Sequence, residues 1–273
     1  MKHQALPVLM YHHVSPHPGL VTVSPEVFAA QMRWLARAGY HSLSGDNLAH
    51  FLAGGAIPRK SVLITFDDVY LDNWVYAHPI LAQYGLSALL FIVTGWLGEG
   101  EIRAHVGETT IPVPPTPSHR ACMEAIEQGQ ADAVMLRWSE IHAMRQAGTF
   151  EFHSHTHTHT RWDKLTHEPA LKRRWLLNDL LASRETLHHQ LGRVSEHLCW
   201  PQGYHDSDYL SAAQEAGFRY LYTTQKGLLS ATTDRYKIPR VVVKNKGGWW
   251  FRQRVWLYRQ ARLGRAYVRL RGQ

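Results

Sequence analysis

The chain is poor in cysteine, with two among 273 residues, Cys122 and Cys199. That makes a disulfide framework unlikely and fits a reducing compartment. It also lacks any long apolar run. Nothing approaches the roughly 18 apolar residues that span a bilayer. The opening MKHQALPVLMYHHV has too short an apolar core, and no small-residue cleavage site, to read as a secretion signal. A cytoplasmic protein is therefore expected. Repeats and low-complexity tracts are missing too, so a single α/β domain over residues 1–273 accounts for the length.

Acidic residues stop early. No Asp or Glu follows Asp234, so the last 39 residues carry a net +12 and the rest a net −4. The overall +8 is thus a basic tail on a mildly acidic body. A nucleic-acid protein would spread its basic residues over the fold, so no nucleic-acid partner is expected.

What is present is an alternation of apolar strands and amphipathic helices. ALPVLMY (5–11), SVLITF (61–66), SALLFIV (87–93), TFEF (149–152), HLCW (197–200), RYLYTT (219–224) and KIPRVVV (237–243) read as strands. Helices are expected from Ser24, with Ser24 as cap and Pro25 in the first turn, and over about 44–54, 70–84, 119–129, 137–147, 168–190 and 206–218. The last one is a basic, aromatic helix over about 247–273. Between about 95 and 135 the alternation breaks into a Gly- and Pro-rich insertion, a length that suggests a binding loop or lid. Seven strands joined through helices favour a closed parallel barrel, with chemistry at the C-terminal strand ends.

Four strand ends carry polar groups: YHH, TFDD, the tract FEFHSHTHTH and WPQGYHD. In the second, one aspartate of Asp67-Asp68 could simply cap the following helix. The pair could also divide labour, one ligating a cation and the other acting as base on water. The third puts four imidazoles at alternate positions, His153, His155, His157 and His159. If the tract is extended throughout, all four face one way. If the chain turns helical after TFEF, His155 and His159 stand at i and i+4 on one face, a spacing that suits two ligands of one metal. Because TRWDKL no longer alternates, the turn is favoured. Asp68, His155 and His159 would then form a His₂Asp centre with open positions.

VLITFDDVYLDNWVYAHPILAQYGLSALLFIV, SHTHTHTRWDKL and CWPQGYHDSDYLSAAQEAGFRYLYTT resemble the polysaccharide deacetylase (NodB-homology) family, and VLMYHHV resembles its branch of poly-β-1,6-N-acetylglucosamine N-deacetylases. The resemblance implies a single distorted (β/α)7 barrel with a long inserted loop, and metal-dependent removal of acetyl from an N-acetylated sugar. It implies Asp67 as catalytic base, Asp68, His155 and His159 as metal ligands, and the Gln202 backbone N–H as oxyanion donor. His153 and His157 match no ligand position. One divalent ion is expected, zinc first, with cobalt, nickel or iron(II) suiting similar ligands.

Three departures stand out. Val69 replaces a family glycine, which is expected to tighten the space beside the metal. Cys199-Trp200 replaces an arginine that orients the base, a role expected to pass to Arg240. No clear motif supplies the general acid near the C-terminal strand; His12 is the first candidate and His205 the second, with a core-satisfied His12 as the plain alternative. Trp200, Pro201, Tyr204 and Arg240 are expected on the substrate side.

Three classes of function follow: an acetamido-sugar N-deacetylase, an inactive carbohydrate-binding relative, and a metal buffer built on the His tract. The intact Asp67, Asp68, His155 and His159 favour the first; a hydrolase of small non-sugar amides stays open within it. The tail WWFRQRVWLYRQARLGRAYVRLRGQ is either a barrel helix with a wet basic face or an interfacial helix on anionic lipid. The second option would put the enzyme at the inner face of the cytoplasmic membrane, with a lipid-linked or lipopolysaccharide-precursor sugar as substrate.

Overall fold

A computed structural model describes residues 5–108 and 111–271, the side chains of 269–271 excepted. Seven strands form the main sheet: β1 (Val8–Tyr11), β2 (Ser61–Asp67), β3 (Ala88–Ile92), β4 (Phe150–Ser154), β5 (His197–Cys199), β6 (Tyr220–Tyr222) and β7 (Val241–Val242). They lie in the order β6-β5-β4-β3-β2-β1-β7, all parallel. Strands β1, β2 and β3 are buried along their whole length, which is why they read as unbroken apolar runs rather than alternating ones.

The sheet curls until its ends meet. Ile238, just before β7, bridges to Tyr222 of β6, accepting from the Thr223 N–H and donating to the Leu221 carbonyl. The result is a distorted (β/α)7 barrel. KIPRVVV is thus a regular strand only at Val241–Val242, because the chain first pairs with one sheet edge and then crosses to the other.

The helices cover the outside: α1 (Pro25–Arg37), α2 (Gly45–Leu52), α3 (His78–Tyr84), α4 (His119–Glu127), α5 (Trp138–Gln146), α6 (Pro169–Leu191), α7 (Ser207–Glu215), α8 (Gly248–Arg259) and α9 (Ala261–Arg271). Ser24 caps α1 through the Val27 N–H, with Pro25 in the first turn. One core packs Ile64, Phe66, Leu90 and Ile92 against α1, α3, α5 and α8; a second fills the barrel with Val8, Leu63, Leu89, Phe91 and Tyr222.

Two expected helices differ from the observed ones. The helix expected over 70–84 begins as a turn, passes through a π-helical segment at Asn73–Ala77 and becomes α-helical only at His78. The polar side chains that shorten it are the buried Asp72 and Asn73, which bond to the end of β1. The tail helix is two, broken where Gln260 adopts an extended backbone; residues 272–273 lie outside the described residues.

Candidate metal centre and acid–base site

Alternation along β2 turns Leu63, Thr65 and Asp67 to one side, into the barrel. There Asp67 meets Arg240. The guanidinium donates from Nη1 to Oδ1 at 2.7 Å and from Nη2 to Oδ2 at 2.8 Å, and its Nε donates to the Thr223 carbonyl at 2.9 Å. Both side chains are buried. Burial alone would push the Asp67 carboxyl up; Arg240 and His12 outweigh it and hold it below its ordinary value. His12 Nε2 stands 3.7 Å from Asp67 Oδ2, and burial lowers its pKa against the pull of Asp67 and Asp68.

Asp68 lies one residue on but faces elsewhere. Its Oδ1 is 3.1 Å from His155 Nε2 and 3.5 Å from His159 Nε2. His155 Nδ1 lies 2.7 Å from the Cys199 carbonyl, which can only accept, so Nδ1 carries a proton and Nε2 is the nitrogen turned to Asp68. This is how metal-bound histidines are oriented by an outer partner. The Asp68 carboxyl is held far below its ordinary value, burial being outweighed by His155, His12 and His159.

The three ligand atoms lie within 4.8 Å of one another, and this N, N, O set fits a divalent cation. Asp67, His155 and Cys199 are also that close. Arg240 excludes that set, because its Nη2 lies 3.0 Å from Cys199 Sγ and both Asp67 oxygens are occupied by the guanidinium.

The pairing of His155 with His159 does not come from a helix. Residues 155–160 are bends and loop, with Thr156 at φ 68° and His159 at φ 59°. Two left-handed residues fold the loop back and bring the rings to 4.9 Å. Asp179 of α6 holds this shape by accepting from the His157 and Thr158 N–H groups and from Trp162 Nε1. His153 is buried, with Nδ1 2.6 Å from Ser195 Oγ, and His157 turns to Thr94. Of the six non-glycine residues with positive φ among those described, five are Asp68, Val69, Thr156, His159 and Gln202. Strain of about 1–3 kcal/mol per residue is thus gathered around one site.

Several expectations are corrected. Val69 does not crowd the Asp68 side; it is buried in the helix-side core. Trp200 is fully buried against α6 and α7, Pro201 is buried as well, and Arg240 is sealed inside the barrel, so none of the three presents a side chain to a substrate. Tyr204 stays partly exposed, under the Arg161 guanidinium at 3.9 Å. Gln202 has φ 56°, and its N–H donates to no acceptor among the described residues. His205 turns Nδ1 back toward the Gly203 carbonyl at 3.4 Å, whereas His12 is the histidine beside Asp67.

The model of the family described as polysaccharide deacetylase matches residues 54–221, more than half of the chain. The chain belongs to the polysaccharide deacetylase family. With membership comes the enzyme class, a hydrolase of carbon–nitrogen bonds other than peptide bonds. Among curated relatives, the poly-beta-1,6-N-acetyl-D-glucosamine N-deacetylase of Staphylococcus aureus (strain MSSA476) is 25% identical over 228 residues, covering 82% of this chain and 68% of the relative. Among solved structures, IcaB from Ammonifex degensii superposes with a TM-score of 0.72 at 21% identity, covering 94% of this chain and 97% of that one. The Streptococcus pyogenes deacetylase PplD gives 0.71 at 22%, covering 92% and 97%. These two likenesses concern the fold.

The polysaccharide deacetylase match contains Asp67, Asp68, His155, His159 and Gln202 but neither His12 nor Arg240. Those two join the site only through the barrel. Sequence reading missed a further group beside it: His13, Tyr70, Asp72 and His119. The doubled histidine in YHH was its one visible signal, and nothing in the sequence ties His119, more than a hundred residues on, to it.

Proposed function

We propose that this chain is a metal-dependent N-deacetylase of an N-acetylated sugar. The observation that carries the reading is the division between adjacent carboxylates: Asp67 is clamped by Arg240, and Asp68 faces the Nε2 atoms of two imidazoles. A divalent cation held by Asp68, His155 and His159 would supply Lewis-acid chemistry, and zinc suits the donor set, with cobalt, nickel or iron(II) close behind. Asp67, kept ionised by Arg240, accepts a proton from the attacking water at a carboxylate oxygen. The free Gln202 N–H stabilises the oxyanion that forms as the amide carbonyl is attacked. His12, beside Asp67, returns a proton to the leaving nitrogen as the C–N bond breaks, so an amide and water become a carboxylic acid and an amine.

The substrate we infer is a glycan of N-acetylglucosamine type, supported by the name of the staphylococcal relative. Mass spectrometry of N-acetylglucosamine oligomers, after incubation with protein and a divalent metal, should show loss of one acetyl group. Intact oligomers under every metal would refute this substrate class.

The exposed surface of α8 and α9 favours an addition to this reading. Trp249, Trp256 and Leu263 are 74%, 48% and 53% exposed, beside the exposed Arg252, Arg262 and Arg265. We infer peripheral contact with an anionic membrane and, with it, a lipid-linked glycan as substrate. Arg269, which would add to the basic face, has a side chain outside the described residues. The protein should pellet with anionic vesicles and not with neutral ones. Equal recovery with both would leave this surface a wet helix face.

A further inference from the structure

Beside the metal centre lies a hydrogen-bonded line that the proposed reaction does not use. Asp72 Oδ2 is 2.6 Å from His13 Nδ1, and His13 Nε2 is 3.2 Å from His119 Nδ1. Asp72 and His13 are buried, and His119 is partly exposed. Tyr70 stacks on His13 at 3.7 Å and places its hydroxyl 3.1 Å from the same His119 Nδ1. His13 and Asp72 belong to the strand ends of the barrel, whereas His119 opens α4 at the end of the long segment that follows β3. The line therefore joins that segment to the barrel, and His119 lies within electrostatic reach of Asp68 and His12.

Proton bookkeeping along the line leaves one arrangement when both histidines are neutral and the Tyr70 hydroxyl turns its proton away from His119, toward Met123 Sδ at 3.7 Å. As a carboxylate Asp72 can only accept, at Oδ2 from His13 and at Oδ1 from the Val14 N–H and Asn73 Nδ2. His13 therefore carries its proton on Nδ1, and its Nε2 must accept. The proton between the two rings then belongs to His119 Nδ1, and His119 Nε2 is left as a bare acceptor with no protein partner among the described residues.

We propose that His119 is a specificity-determining residue whose Nε2, locked as an acceptor by Asp72 and His13, receives a hydrogen bond from a sugar hydroxyl. The sugar rests on the deacetylase reading; the locked tautomer does not. Asp72 and His13 are positioning residues in this account. They act only by fixing which nitrogen of His119 is bare.

Two measurements on the whole 273-residue chain test the proposal, at about pH 8, well above the ordinary imidazole value of about 6.5. Nitrogen-15 NMR of histidine-labelled protein without substrate should show His119 as the Nδ1–H tautomer in the wild type. In His13→Phe that preference should be lost. An Nε2–H His119 in the wild type would overturn the lock. Steady-state kinetics on an N-acetylglucosamine oligomer should show KM raised roughly three- to tenfold in His119→Ala, the range of one hydrogen bond, with kcat little changed. His119→Gln, which keeps an acceptor and the start of α4, should recover part of the loss. An unchanged KM in both variants, or a fall in kcat alone, would overturn the substrate contact. A second metal ion bound by the wild type and lost in His119→Ala would overturn it too, since the facing nitrogens would then be ligands. A wild type inert toward every acetamido sugar would sink the deacetylase reading and leave the NMR result standing.

Discussion

Asp67 and Asp68 share a peptide bond but live in different electrostatic worlds, because one ends a strand and the other begins a left-handed turn. Their types and order were readable from the sequence. Their partners were readable only in part, since Arg240 lies far along the chain and its side chain is enclosed by the barrel. Replacing Arg240 with Met should leave a buried carboxylate uncompensated and cost about 3–5 kcal/mol in urea unfolding; a loss below about 1 kcal/mol would mean that the pair is not sealed. The four imidazoles separate in the same way. His155→Ala should abolish tight metal binding, measured by chelator competition. His153→Ala should retain it while lowering stability by about 2 kcal/mol, because His153 is a buried side chain bonded to Ser195. Metal loss in the His153 variant would put the ligand in the wrong place. The expected substrate role of Trp200 failed for a simple reason: after β5 its side chain falls on the helix side, where α6 and α7 bury it.

At the scale of elements, strand positions were legible because strands buried on both faces leave continuous apolar runs, and capped helices such as α1 announce their starts. What escaped was backbone held by distant partners. The loop after β4 looked helical from its spacing, yet left-handed Thr156 and His159, tied to Asp179, bring the same two rings together. The π-helical segment after β2 escaped likewise, since its cause is the docking of Asp72 and Asn73 on the end of β1. The segment after β3 is anchored by Arg103, which donates from Nε and Nη2 to both oxygens of the fully buried Glu140. Glu140→Ala should free this segment, so limited proteolysis should cut first between about 95 and 118. Cleavage starting elsewhere would place the anchor in another contact.

The whole molecule carries several histidines in its interior, and that has a pH consequence. Burial lowers His78 to about 4, with His105 adding to the effect, and lowers His197 to about 3, with Arg193 adding. In the unfolded chain both titrate near about 6.5. The unfolded state therefore binds more protons between those values, so their contribution is complete above about 6.5 and is lost as pH falls toward 4 and then 3. Thermal unfolding should move to lower temperature from about pH 7 to about pH 5, with a shallower slope in His78→Gln. A melting temperature flat across that window would contradict neutral burial.

The central claim is that neighbouring aspartates have separate tasks, Asp67 moving the proton and Asp68 holding the metal. The most direct measurement is metal content and turnover together in Asp67→Asn. The account predicts one metal per chain, as in the wild type, with turnover of an acetamido sugar lowered by about 10²–10⁴-fold. Wild-type turnover in that variant, or loss of its metal, would contradict it.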